Sequence, residues 1–251
     1  MLFSVGAQYG YSRSRRHPST GRFIFGVKNN VEIFDLEKTK AKLDEVLTFV
    51  QSLGREGKTM LMVSGKPESK RALETAHEAT KLPLVSGRWI GGTLTNFEVM
   101  RKRVERLIDL RTKQERGGLE QYTKRERLLM RREADRLAGM FEGIVGMEKL
   151  PHALFIIDPR REHIAVSEAA LRGIPVVALA SSDCDITKIP YPIPANDANI
   201  QSVSFFVGCV VDAYRKGLSE HSTKKAAEKE QDPEKEKEKE KEKEKEKEKE
   251  E

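Results

Sequence analysis

The chain has 251 residues, 37% of them apolar, which suffices for one packed core of ordinary size plus an appendage. Its formal charge of +6 hides an asymmetry: the segment from Ser219 onward carries −3 and residues 1–218 about +9, so the globular body is basic and suits a polyanionic partner. Cys184 and Cys209 stand far apart, the five histidines form no ligand-spaced cluster, and apolar runs such as 153–157 and 176–180 are short, which excludes a zinc or disulfide framework and a membrane span.

Residues 1–22 read as a basic, irregular arm. Arg13, Arg15, Arg16 and Arg22 are interleaved with Tyr9, Tyr11 and His17, a mixture suited to phosphates and stacked bases. Short strands are expected at 22–25 and 31–34. Asp35 is placed to cap a helix running to about Arg55, with Leu36, Leu43, Val46, Leu47 and Val50 on one stripe and Gly54 and Gly57 ending it. Residues 59–63 read as a buried strand and 67–80 as the next helix. Between them, Ser64-Gly65-Lys66 invites comparison with a phosphate loop. Such a loop needs glycine where Met60 stands and Ser or Thr where Pro67 stands, so nucleotide hydrolysis is not expected. Lys66, Lys70 and Arg71, at the strand's carboxyl end, are candidate RNA contacts instead.

The most informative ten residues run from Arg88 to Phe97. Gly91 and Gly92 can let a polyanion approach the backbone, with free amides facing phosphate oxygens. Arg88 can clamp a phosphate or stack on a base beside Trp89. Thr93, Thr95 and Asn96 are short donors suited to phosphate and ribose, and Thr95 or Asn96 could also cap the following helix. The same residues equally suit a plain Gly-Gly turn anchored by a buried Trp89. Residues 97–146 then show three-four apolar spacing on both sides of Gly117-Gly118, the pattern of an antiparallel coiled-coil hairpin. Its surface carries thirteen Lys or Arg against nine acids, and Arg101, Lys102 and Arg103 at its base are the candidate contacts.

Further strands are expected at 153–158, 175–180 and 191–193, with helices at 162–172 and 197–216. The apolar side of the last helix comprises Ile200, Val203, Phe206, Val207, Val210, Val211 and Tyr214. The cluster Asp158-Pro159-Arg160-Arg161-Glu162-His163 could suggest acid–base chemistry. It is better explained as a strand end and turn, with Glu162 favoured in the first helical turn and His163 packed nearby. From Ser219 the chain passes into strict Lys-Glu alternation with nothing apolar to bury, expected to be disordered or only fleetingly helical. Strand–helix alternation with short connections specifies a parallel sheet covered on both faces. The expected units are therefore an arm (1–22), an α/β domain (23–96 and 147–218), a coiled-coil insertion (97–146) and a tail (219–251).

The 88–97 segment, Arg-Trp-Ile-Gly-Gly-Thr-Leu-Thr-Asn-Phe, resembles the signature of the bacterial small-subunit ribosomal protein uS2 family. Four further segments agree in order and spacing: Phe25-Gly26 with Lys28 and Asn29, residues 33–39, residues 151–165, and residues 173–179 continuing to 193–197. The resemblance covers about residues 5–217. It implies a Rossmann-like, flavodoxin-like sandwich, no catalysis, no cofactor, and a structural role in the cytoplasm, binding 16S-type ribosomal RNA at the junction of head and body beside neighbouring small-subunit proteins. A long hairpin fits the bacterial and organellar branch. In many bacteria the family also anchors the large mRNA-binding protein of the small subunit. This chain departs from the family's Gly-x-His-x-Gly-His with Gly6-Ala7-Gln8-Tyr9-Gly10-Tyr11, and Arg16 replaces a usual tryptophan, which bears on any contact made through those side chains. Two readings from other classes compete. One is a flavodoxin-like enzyme with a cofactor at the sheet's carboxyl edge, for which no glycine-rich phosphate loop is present; the other is a charged coiled-coil scaffold.

Overall fold

The computed structural model describes the backbone of residues 1–118 and 121–247, and side chains as far as Thr223. Alternating apolar residues build its main sheet. In β4 (Met60–Ser64), Met60 and Met62 enter one buried cluster while Leu61 and Val63 enter the other, and β6 (Ala153–Ile157) and β7 (Val176–Ala180) divide in the same way. Strands buried on both faces need helices on both. With β5 (Leu84–Ser86) and β8 (Tyr191–Pro194) these strands form a five-stranded parallel sheet in the order β5-β4-β6-β7-β8. That is the 2-1-3-4-5 order of a doubly wound, Rossmann-like sheet.

One face is covered by α1 (Leu36–Arg55), α2 (Pro67–Thr80) and α6 (Ile200–Lys247), the other by α3 (Phe97–Glu115), α4 (Lys124–Phe141) and α5 (His163–Arg172). The Asp35 carboxylate caps α1, accepting from the amides of Glu37 and Lys38. Met100, Val104, Leu107 and Leu110 of α3 join Ala134, Leu137 and Phe141 of α4 in the cluster that includes the sheet face. On α6 the apolar stripe is buried as the spacing requires, except that Ile200 is 59% exposed.

Gly54 does not end α1. It lies inside the helix, where a Cβ would collide with the Tyr214 carbonyl, and a Cβ on Gly217 would stand 2.8 Å from the Arg55 amide. These glycines let α1 and α6 cross with their backbones in contact, and the chain leaves α1 at Gly57, with φ of +65°. The backbone of α6 continues helical past Leu218, the last residue of its apolar stripe. Glu220 accepts from Gln51 at 2.7 Å and pairs with Arg55 at 2.6 Å, so contacts with the body reach beyond residue 218.

The amino-terminal residues form more structure than their composition suggests. β1 (Tyr9–Ser12), β2 (Ile24–Lys28) and β3 (Val31–Phe34) make an antiparallel sheet in the order β1-β3-β2, with Asn29 and Asn30 at φ of 51° and 63° forming the two-residue turn between β2 and β3. The sheet is seated on the carboxyl edge of the main one. The Tyr11 amide donates to Ser182 Oγ at 2.9 Å, the His17 amide to the Ser182 carbonyl at 2.9 Å, and the Asn196 amide to the Ala7 carbonyl at 3.0 Å. Among the described residues no helix is long and apolar enough to cross a membrane.

Candidate nucleic-acid interface

The glycine-containing loop after β5 turns its amides inward. Glu168, on α5 and 6% exposed, accepts from the Gly92 amide at 2.7 Å, the Leu94 amide at 2.9 Å, the Thr95 amide at 3.2 Å, Thr95 Oγ1 at 3.3 Å and the Trp89 indole at 3.3 Å. One helical turn on, Arg172 donates to the Leu94 carbonyl at 3.1 Å and to that of Thr95. A carboxylate and a guanidinium spaced i,i+4 thus clamp both polarities of the loop backbone. Burial by itself would raise the Glu168 pKa, and the converging donors hold it below the ordinary carboxylate value.

The expectation that the Gly92 amide faces phosphate is therefore corrected: a built-in anion already occupies it. Gly92 is glycine because its φ is +93°, whereas a Cβ on Gly91 would meet only Glu168 Oε1, at 4.0 Å. Trp89 and Thr93 are buried; Arg88, Gly91 and Asn96 face solvent. Asn96 occupies the N-cap of α3 without a side-chain capping bond.

A second carboxylate occupies the switch point of the sheet, between the carboxyl ends of β4 and β6, where open α/β sheets bind ligands. Glu162 accepts from the Gly65 amide at 3.0 Å, and a Cβ on Gly65 would lie 2.8 Å from Glu162 Oε1 and 2.9 Å from the Gly87 carbonyl. Glu162 is the N-cap of α5 rather than part of its first turn, and burial raises its pKa. His163 is exposed and not packed as expected.

Lys66 is enclosed. Its ammonium lies 2.8 Å from carboxylate oxygens of both Asp158 and Asp197, beneath the Tyr11 ring. Burial opposes the charge on Lys66, and the two carboxylates overcome that and raise its pKa. Asp197, fully buried, is pushed up to about 6 by its burial against the pull of Lys66. Asp158, Cys184 and Asp197 have metal-ligand proximity, within 4.8 Å of one another, and Lys66 already supplies the cation between the two acids.

Around Lys66 and over the ends of β7 and β8 the carboxyl edge is thus occupied by the chain's own side chains and its own amino-terminal segment. A cofactor phosphate would find no free glycine amide at Gly65 and no open crevice at Lys66.

The sequence comparisons bear on the same residues. The family model described as ribosomal protein S2 matches residues 2–217. The chain belongs to the ribosomal protein S2 family. It is 36% identical over 216 residues to the small ribosomal subunit protein uS2 of Dictyoglomus thermophilum, covering 86% of this chain and 88% of that one. It is 39% identical over 216 residues to the uS2 of Sulfurimonas denitrificans, covering 86% and 83%, and 37% identical over 230 residues to that of a Nitratiruptor species, covering 92% and 86%. The S2 family is one of structural proteins and not of enzymes.

Within this S2-family fold the cations singled out from sequence separate into three groups. Arg15 pairs with Asp183 at 3.3 Å and Arg16 with the buried Glu32 at 3.4 Å, both from exposed positions, and Lys66 is internal; these three have acids of this chain beside them. Arg13, Arg22, Lys28, Lys70, Arg71 and Arg88, together with the neutral Asn29, are exposed on segments grouped around the carboxyl edge. Arg101, Lys102 and Arg103 lie elsewhere. The loop descends across the sheet face to Arg172, at the far end of α5, and Arg101 donates to the carbonyls of Val145 and Met147, which precede β6 at the amino-terminal edge. The exposed candidates therefore form two patches, one at each edge of the sheet.

Glu168 and Arg172 were missed from sequence. Their signal is faint: an acid and an arginine four apart on an otherwise apolar helix, facing a loop some seventy residues away. Arg161 was passed over as part of a turn. It lines, with Arg88, Trp89 and Glu162, a cavity of about 460 Å³ beside the switch point.

Proposed function

We propose that this protein is a structural constituent of the small ribosomal subunit that works in the cytoplasm and binds 16S-type ribosomal RNA where head and body meet, without catalysing a reaction. The observation that carries the reading is the match of residues 2–217 to a family whose curated members are named small ribosomal subunit protein uS2. The distribution of cations supports it. Arg13, Lys28, Arg71, Arg88, Lys102 and Arg103 make no ion pair among the described residues, and they stand at two opposite edges of one rigid sheet. Phosphate contacts dominate RNA affinity, and two separated cationic edges can hold two RNA segments at a fixed distance.

In this reading α3 and α4 form an antiparallel helical hairpin, and its base supplies the second edge. Arg106 of α3 and Glu133 of α4, paired at 3.2 Å, support that alignment. Neighbouring small-subunit proteins are its further partners. The large mRNA-binding protein belongs among them only through the amino-terminal segment, where Gln8 and Tyr11 stand in place of the family's histidines.

Sedimentation of a cell lysate tests the class of function: the protein is expected to migrate with small subunits and to be released by salt. Quantitative recovery at the top of the gradient in low salt would overturn the proposal. A further test is the slope of log affinity against log salt for small subunits lacking the protein. It should become shallower by about 0.7–0.9 for each phosphate no longer neutralised when Arg13, Lys28, Arg71 and Arg88 are changed to Ala.

A further inference from the structure

The hairpin formed by β2 and β3 carries a large ring that the fold does not use. Phe25 is 81% exposed although it lies within a strand. The register explains its direction: Ile24 pairs with Phe34 and Gly26 with Ile33, so Phe25 is the extra residue of a β-bulge, which turns a side chain away from the alternation of its strand. β2 is an edge strand, so nothing in its own sheet covers the ring from the outer side. Gly26, next to it, faces open space, with no atom within 4 Å of the position a Cβ would take.

The surroundings are cationic. Arg22 precedes the ring and Lys28 follows it, and the Arg13 amide donates to the Asn30 carbonyl at 3.3 Å, which brings a third cation to the tip beside Asn29. The acids of this segment are committed elsewhere. Glu32 is fully buried against Arg16, and Asp35 caps α1 and pairs with Lys38 at 3.3 Å.

We propose that Phe25 is a stacking platform for an unpaired base of the small-subunit RNA, with Arg13, Arg22 and Lys28 holding the flanking phosphates. The proposal rests on the RNA-binding function above and adds to it an interaction that electrostatics alone would not supply. An exposed ring amid cations, with the hairpin's own acids Glu32 and Asp35 both paired, fits a base within a phosphate backbone better than an apolar or acidic protein surface.

The test uses the full chain and small subunits lacking it. Phe25→Ala is expected to lower affinity by about 5- to 150-fold, the range expected when one base stack is removed, without changing the salt slope or the melting temperature. Phe25→Tyr should keep the affinity, and Phe25→Leu should weaken binding nearly as much as Ala. Wild-type binding with Phe25→Ala within twofold of it would overturn this inference alone. Retention by Phe25→Leu would also overturn it, since an apolar protein surface tolerates leucine and a stack does not. Failure of the wild type to bind at all would remove the RNA reading and this stack with it.

Discussion

Glu168 offers the sharpest test of how the signature loop is built. Replacing it by Ala removes the acceptor from five donors. Gly92 and Thr95 are half-buried and can turn to water, but Leu94 is fully buried and Trp89 is 5% exposed, so their N–H groups are stranded. A buried donor without a partner costs about 1–3 kcal/mol, so two cost about 2–6 kcal/mol, a large share of the roughly 5–15 kcal/mol that stabilises a domain. For a chain of this size that corresponds to a fall in Tm of about 4–24 °C. Glu168→Gln should lie between, because its amide nitrogen faces donors with a donor.

The pH dependence adds a second readout. Burial pushes the Glu168 carboxyl up, but the converging N–H groups leave it below its ordinary value of 4.5. A lowered folded pKa gives stability that is present above 4.5 and lost as pH falls, so the gap between wild type and Glu168→Gln should narrow in acid. Calorimetric or fluorescence melting from about pH 2 to 8 measures both. A Glu168→Ala protein melting within 2 °C of wild type at pH 7 would refute this account of the loop.

Three further outcomes are expected. Gly92→Val should cost roughly 1–2 kcal/mol, because its φ of +93° strains any L side chain, while Gly91→Val should leave the Tm unchanged; reduced subunit incorporation by Gly91→Val would then report RNA lying against it. Asp197, with its pKa pushed up to about 6, binds its proton more firmly folded than unfolded, so its contribution favours folding at low pH and fades as pH rises from about 4 through 6; the melting curves of Asp197→Asn should lack that component, and an unaltered profile would count against it. Deleting residues 224–251, beyond the contacts of Glu220 and His221 with α1, should leave both Tm and incorporation intact, whereas a loss of several degrees would show that the tail docks.

Much of the fold is written locally. The run of α2 from Pro67 to Thr80, the capping of α1 by Asp35 and the strands β4, β6, β7 and β8 follow from apolar periodicity, capping residues and turn signals, all of which act within a few residues. The family, too, is legible, because its signature is a string of neighbours. What escaped depends on residues far apart in the chain. β1, with the sequence Tyr-Gly-Tyr-Ser and no buried residue, and β5, three residues long, show no apolar period and exist because β3 and β4 offer them partners. Gly54 reads as a helix end and is a crossing point, a role set by Gly217 on another helix.

The candidate site divides along the same line. That Arg88, Lys28 and Arg103 are cations on a basic chain is a property of the sequence, and so is the spelling of the loop that contains Gly91 and Gly92. Which cations remain free for a partner was decided by tertiary structure, because an arginine or lysine is spent or available according to the acids that folding brings beside it. Asp183 claims Arg15, Glu32 claims Arg16, and Asp158 with Asp197 claims Lys66, while Glu168 takes the loop amides that the glycines seemed to leave for RNA. Pairings across sixteen to 168 residues leave no trace in local pattern, since they depend on where the sheet order carries each strand end.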